Sequence, residues 1–313
     1  MTAAAPGEEA VILRAAPSGV LAGHVAAGTG PAQVAVLRTG GLALFGGWAA
    51  SPAAWWTSPA LGDAGPARHD AAGCATAAGV HHGVNREGLL VACSVAGPAA
   101  RSGLAGAVLA RAGGVEEAVA LISAAASGLD GPDRIWLADP GAAVFLAAGP
   151  EGVRRHPEPL PAAADLGAVR ARLRSRAPAG AVSAIAARLD PAGPTLLVCL
   201  GPPATGVFVR QWPGLPPPPA LTAADGPPLL AGLAEALADG PAAGSVPDLA
   251  TVEAEALAEG EDAERLARIM DAAGDDHGAE VRRALAQEHA ARLAVDALEA
   301  RLAAAGTPGG PTL

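Results

Sequence analysis

The sequence predicts a layered α+β protein rather than a doubly wound sheet. Three observations carry this. Apolar runs of strand length, punctuated by Gly, Pro and Ser, recur through the first two thirds of the chain. Helical periodicity occurs in a block near residue 110 and dominates after Leu229. Strands and helices follow one another in groups, with no βαβ repeat.

Taken in order, Ala10 to Arg14, Gln33 to Arg38 and Leu42 to Phe45 are strand-like, and Leu89 to Val95 reads as a buried strand bounded by Gly88 and Gly97-Pro98. Between them, Trp48 to Gly79 reads as a long irregular segment, of the kind that is either functional or mobile. Leu104 to Arg111 and Val115 to Ala126 are predicted helices, the second with Glu116 and Glu117 in its first turn, where they complement the helix dipole. Ile135 to Ala138 and Ala143 to Ala148 form a predicted hairpin around Asp139-Pro140-Gly141. Ala168 to Arg176 is a short Arg-rich helix, and Thr195 to Leu200 and Thr205 to Val209 are two further strands. Pro213 to Pro219 is a stiff connector. Leu229 to Ala238, Asp248 to Ala258, Asp262 to Ala273 and Ala279 to Ala304 are helical patterns. In the last, Val281, Leu285, Leu293, Leu298 and Leu302 form an apolar stripe expected to dock on the body or on a partner. The expected division is a body over 1–228, an acidic helical segment over 229–304 and a disordered tail over 305–313.

Composition narrows the chemistry. Ala is by far the commonest residue, and Ala, Gly and Pro together make up almost half of the chain. There is no Lys and no Tyr. Without Lys, Schiff-base chemistry, Lys general bases and Lys-dependent phosphate loops are excluded. Acids and Arg cancel up to Ala234, so the whole net charge of −10 belongs to the last quarter of the chain. No basic patch stands out, which argues against nucleic-acid binding. No apolar run approaches the ~20 residues that span a membrane. Met1 to Glu9 carries two acids and no early base, unlike a secretory signal, so a cytoplasmic location is the expected default. Cys74, Cys93 and Cys199 are too few and scattered for a disulfide framework or a zinc site, and no histidine has an i, i+4 partner, so no metal is expected.

A run of motifs carries a resemblance. Gly83-Val84-Asn85-Arg86-Glu87-Gly88-Leu89 is a turn with Gly at both ends, followed by the LLVACSV strand. Leu104 to Val119 (LAGAVLARAGGVEEAV), Ile135 to Asp139 with the strand after it, and Leu200 to Val209 (LGPPATGVFV) follow in order. This series resembles the N-terminal-nucleophile (Ntn) hydrolases related to dipeptidase A and the secernins, and their penicillin acyltransferase-like relatives, over roughly residues 10–302. The resemblance implies a four-layer αββα sandwich with an acidic C-terminal helical segment. It also implies hydrolysis or acyl transfer at an amide bond of a small amide or peptide substrate, without a cofactor. In that family a residue freed at the N-terminus, usually Cys, attacks the carbonyl while its own α-amine serves as the base.

The sequence departs from that pattern where the chemistry belongs. Ser18 to Ala27 looks like the family's D-G-x-v-f-G-x-N-x-D, yet Val25 stands at the Asn position and Ala27 at the Asp position. No Cys, Ser or Thr lies near Glu8 to Val11. Three nucleophile candidates remain. Thr2 would be exposed by Met removal, Cys74 follows Gly73 as at an acyltransferase cleavage junction, and Ser18 could be served by His24. Asn85 is a candidate oxyanion or turn residue. His81 and His82 read as a polar turn entrance or as substrate contacts, and Trp48, Trp55 and Trp56 as a lid over the pocket or as loop-pinning residues. The expected protein is an Ntn-fold relative with a degenerate catalytic motif. The alternative is a divergent amidohydrolase or acyltransferase with an unrecognised nucleophile. Self-association or a protein partner is expected to use the acidic C-terminal helices.

Overall fold

The structure, a computed structural model, describes residues 11–16, 19–28, 32–39, 56–61, 65–94, 97–156, 165–222, 227–239 and 248–306. These residues form two antiparallel sheets and seven α-helices, a mixed α+β fold. The five-stranded sheet joins β1 (Val11–Ala16), β2 (Gly19–Ala27), β10 (Ala181–Leu189), β11 (Thr195–Leu200) and β12 (Val209–Gln211), in that order. The seven-stranded sheet is a meander of β3 (Gln33–Leu37), β4 (Ala71–Thr76), β5 (Gly79–Asn85), β6 (Leu90–Cys93), β7 (Asp133–Ala138), β8 (Ala143–Gly149) and β9 (Gly152–His156).

Period-two alternation divides each strand between two faces. In β2, Val20, Ala22 and Ala26 join a core cluster shared with Val34, Val36, Ala72, Val84 and Ala92 of the other sheet, so the two sheets meet face to face. Leu21 and Val25 point the other way, onto α4 (Leu166–Ser175) through Val169 and Leu173. The outer face of the seven-stranded sheet packs on α2 (Leu104–Arg111) and α3 (Val115–Ala125), with the short α1 (Pro98–Arg101) beside them. Close approach replaces side-chain bulk in places. Gly73 and Gly83 are cross-strand partners, and a Cβ on Gly73 would lie 2.3 Å from the His82 carbonyl oxygen.

Local sequence fixes the helix starts. Asp139 serves two elements at once. Its Oδ1 accepts from the amides of Gly141 and Ala142 in the β7–β8 turn, and its Oδ2 accepts from the Val115 amide at the start of α3. Asp165 caps α4 by accepting from Ala168 N, and Asp248 caps α6 (Leu249–Ala272) by accepting from Ala250 N.

Several expectations need correction. The segment Trp48 to Gly79 is not irregular throughout: β4 occupies Ala71–Thr76, an Ala- and Gly-rich strand buried on both faces, which therefore shows no alternation. β2, β5, β9 and β10 are also strands, whose Ala, Gly and polar residues form no apolar run. β5 takes in Gly83 to Asn85, so the turn expected from Gly83 begins only at Arg86, and His81 and His82 lie inside a buried strand rather than at a turn entrance. The last strand of the five-stranded sheet is Val209–Gln211, not Thr205 to Val209. The two helices expected over 248–258 and 262–273 are the single helix α6. Gly260 does not break it. A Cβ there would lie 2.9 Å from Cδ of Arg210, so the glycine makes room for a buried guanidinium instead. The apolar stripe of α7 (Asp276–Gly306) also differs in part from expectation. Leu298 is buried, but Val281 and Leu285 are exposed, and the buried face is built from Ala279, Ala286, Ala290, Ala294 and Ala297. α5 (Leu229–Asp239) and α7 add residues to the cluster between the sheets. The Leu42 to Phe45 strand and all but the first two residues of the 305–313 tail lie outside the described residues.

One carboxylate ties α6 to the five-stranded sheet and its helix. Glu253 is 1% exposed. It accepts from Arg170 Nη1 at 2.8 Å, from Arg174, and from the Phe208 backbone amide at 2.7 Å. Arg170 and Arg174 sit one helical turn apart on α4, so one carboxylate satisfies both. Removing one partner of a buried ion cluster strands the others. Glu253→Ala is expected to destabilise the fold by about 3–5 kcal/mol in urea unfolding, and a loss under about 1 kcal/mol would show that this cluster does not hold α6 in place.

Candidate functional site

The polar residues between the sheets gather around two β-bulges. In β5 the register passes from Ala75↔Val80 to Cys74↔His82, which leaves His81 as the extra residue. In β10 it passes from Ala27↔Ala181 to Ala26↔Ser183, which leaves Val182 extra. Ser183 faces the inter-sheet core, where its hydroxyl meets both histidines of β5: His81 Nε2 at 2.8 Å and His82 Nε2 at 3.2 Å. His24, on the inner face of β2, places its Nδ1 2.8 Å from His82 Nδ1. Cys74 is the cross-strand partner of His82. His24, Cys74, His81, His82 and Ser183 are all fully buried.

With all three imidazoles neutral, one proton assignment satisfies the chain in a single direction. His81 Nε2–H donates to Ser183, the Ser183 hydroxyl donates to His82 Nε2, and His82 Nδ1–H donates to His24 Nδ1. The surroundings favour the neutral forms of His81 and His82. Burial, and then the neighbouring His24, push His81 down to about 3. Burial, and then His81 and His24, hold His82 well below the usual imidazole range. Burial pushes the Cys74 thiol up, reinforced by Cys199 and opposed by the Ser183 hydrogen bond. Aromatic rings line one side: Trp136 lies 5.5 Å from the His24 ring, and Phe145 stacks on Trp136 at 5.4 Å. None of these contacts involves a carboxylate. Among the described residues, no three His, Cys, Asp or Glu side chains are arranged to hold a metal ion.

The structure thus brings together four of the residues singled out from the sequence, Cys74, His24, His81 and His82. It adds Ser183, which sequence reasoning missed. The available signal was a lone hydroxyl in the apolar run Ala181 to Ala187, a strand too rich in Ala to stand out itself. Asn85 lies on the opposite face of the seven-stranded sheet. Its Nδ2 donates to the carbonyls of Leu109 and Ala112, and its Oδ1 accepts from Leu89 N, so it fastens the end of α2 to the β5–β6 turn. Trp56 is buried on that same helix side, in the cluster with α2 and α3, and its carbonyl accepts from Arg111. It pins its segment there and is remote from the histidines. Val25 faces α4, and Ala27 ends β2. Thr2, Ser18, Trp48 and Trp55 lie outside the described residues.

Away from these residues, a cleft of about 600 Å³ lies between the body and α6–α7, lined by Arg38, Asp70, Arg86, Trp212, Glu264 and Arg283 among others. Its charges are largely spent on one another. Arg38 makes a two-pronged contact with Glu280, at 2.7 and 2.8 Å, and Arg283 bridges Glu264 and Asp271. Burial alone would raise the Glu264 carboxyl, but hydrogen bonds from Arg283, Arg268 and Trp212 outweigh it and hold the group down at about 2. Behind the cleft wall, Arg210 lies 4.3 Å over the Trp212 ring, and burial lowers it to about 10.

No protein-family model matches the chain, and no curated protein matches it. No helix among the described residues is long and apolar enough to cross a membrane.

Two of the buried histidines, His81 and His82, make stability depend on pH in one direction. Their folded values lie below the ordinary 6.5, so the unfolded chain takes up these protons first as the pH falls. Their contribution is complete above pH 6.5 and is lost below it. Each histidine is expected to contribute a slope of about 1.4 kcal/mol per pH unit. Urea unfolding between pH 7 and pH 5 checks this against His81→Gln. The variant is expected to show a shallower slope, and equal slopes would mean that His81 takes its proton as readily folded as unfolded.

Proposed function

We propose that this chain has the four-layer αββα sandwich of the Ntn hydrolases related to dipeptidase A and the secernins, and that it is a catalytically degenerate relative keeping the fold as a binding or scaffold module. The order of packing supports the fold: α1–α3, the seven-stranded sheet, the five-stranded sheet and α4. The state of Cys74 carries the degenerate reading. It lies inside β4, paired with Val34 on one side and His82 on the other, fully buried, with its thiol pushed up by burial. An Ntn nucleophile needs a free α-amine at its own residue and access to substrate. A reactive thiol needs a lowered pKa and exposure, the reverse of what Cys74 has. Val25 and Ala27 offer no polar group in place of the family's Asn and Asp.

One observation favours a second reading, an active amidohydrolase or acyltransferase on a small amide. Ser183, His82 and His24 stand in line through both nitrogens of the His82 ring, the order of nucleophile, base and orienting group. In that reading the sheets separate far enough to admit substrate. Ser183 Oγ then bonds to the carbonyl carbon while its proton passes to His82 Nε2. His82 returns the proton to the departing amine, and water cleaves the acyl-serine with His82 again as base. Neither reading calls on a cofactor.

The two readings separate in one set of assays with penicillin V and alanine p-nitroanilide, alongside labelling by iodoacetamide and a fluorophosphonate. The degenerate reading expects no turnover, no label on the native chain, alkylation of Cys74 only after unfolding, and no species beginning at Cys74 in the intact mass. Turnover or fluorophosphonate labelling that disappears in a folded Ser183→Ala variant overturns it.

A further inference from the structure

Large apolar side chains are rarely left in water without a use when they cluster. Among the described residues five are exposed, and four of them lie on the α6–α7 hairpin: Leu266 (41%), Ile269 (62%), Val281 (42%) and Leu285 (60%). The fifth, Leu229, begins α5. The two helices run antiparallel, with a register fixed by Glu259–His289 at 3.2 Å and Glu264–Arg283 at 2.8 Å. This register sets Leu266 opposite residues 281–282 and Leu285 opposite residues 262–263, so the four side chains occupy one stretch at the turn end of the hairpin. An α-helix completes a turn in about 3.6 residues, so Leu266 and Ile269, two and five positions beyond Glu264, stand on the far side of α6 from it. Leu285, five positions beyond Glu280, likewise stands on the far side of α7. Glu264 and Glu280 line the cleft on the body side, so the apolar face points away from the body.

The helices bury their small residues and expose their large ones. Ala263 and Ala267 of α6 and Ala279, Ala286 and Ala290 of α7 face inward. A hairpin that needed only to dock on its own body would place leucine and isoleucine inward, where each buried side chain gives about 1.5–3 kcal/mol.

We propose that this face is the contact between two copies of the chain, related by a twofold axis and forming a four-helix arrangement. The rim charge selects this occupant. Around the four apolar side chains stand Glu255, Glu259, Asp262 and Glu288 against Arg265, Arg282 and Arg292, so the two signs are interspersed. The segment from Glu235 onward as a whole carries 16 acids against 6 Arg. A basic partner would gain most on the other, acidic faces. A mixed-sign rim is complementary to itself, and a twofold contact pairs the same patch with its copy. The length is sufficient: α6 alone has 24 residues, about 36 Å, and two helices side by side can supply the ~800 Å² per partner of a standard interface.

Sedimentation equilibrium of the full chain between 1 and 200 µM tests this, with the double variant Ile269→Asp/Leu285→Asp beside it. The wild type is expected to form a dimer and no larger species. The double variant is expected to raise the dissociation constant about 30-fold or more, with an unchanged circular dichroism spectrum because both positions are exposed in the single chain. A wild type that stays monomeric at 200 µM, or a dimer whose dissociation constant the folded double variant leaves within about threefold, overturns the proposal. Open-ended association also overturns it, because a twofold contact closes on itself.

Discussion

The smallness of the side chains between the two sheets is the constraint on which the rest of the molecule depends. The shared core is made mostly of Ala and Val, with Cys74, three histidines and a serine among them. Each methylene that an alanine lacks relative to leucine forgoes about 0.8 kcal/mol of burial. Such a core holds its layers together only if the two sheets approach closely and other contacts supplement it. The Glu253 cluster is one supplement, an ionic clasp that fastens the C-terminal helices to α4 and the five-stranded sheet. Asn85 is another, closing α2 onto the β5–β6 turn through both ends of its amide.

The same constraint explains what was legible in the sequence. Strands rich in Val, Leu and Ile, such as β3, β6 and β11, stand out because their residues are distinct from the Ala background. β4 and much of β2 and β10 are written in Ala and Gly, which carry no periodic signal when both faces are buried. The helices α2 and α3 were legible because polar and apolar residues recur there with helical spacing. On α7 the pattern misleads in an instructive way. Hydrophobicity marks Val281 and Leu285 for burial, but the buried face is alanine, which suits close helix packing.

The site was legible in part for the same reason. Histidine and cysteine are rare in this chain, so His24, Cys74, His81 and His82 stand out individually. Their convergence depends on two register shifts, on the pairing of β2 with the sequence-distant β10, and on the packing of that sheet against β5. No local spacing encodes that. Ser183 was hidden because its strand was. Asn85 draws notice for its turn, and that is where its work lies, since it reaches the helix side of the sheet while His82 reaches the side between the sheets.

The bulge in β5 has a consequence for how the cluster can arise or vanish. Val80 and His82 keep the faces of their cross-strand partners, Ala75 and Cys74, and the residues beyond them follow in step. His81 is therefore an additional side chain delivered to the interior without disturbing the pairing on either side of it. Loss of that one residue would restore an unbroken ladder, and gain of one at such a point adds a group to the protein's interior. At this point of the fold, insertion or deletion of a single codon, and not only substitution, changes the interior chemistry.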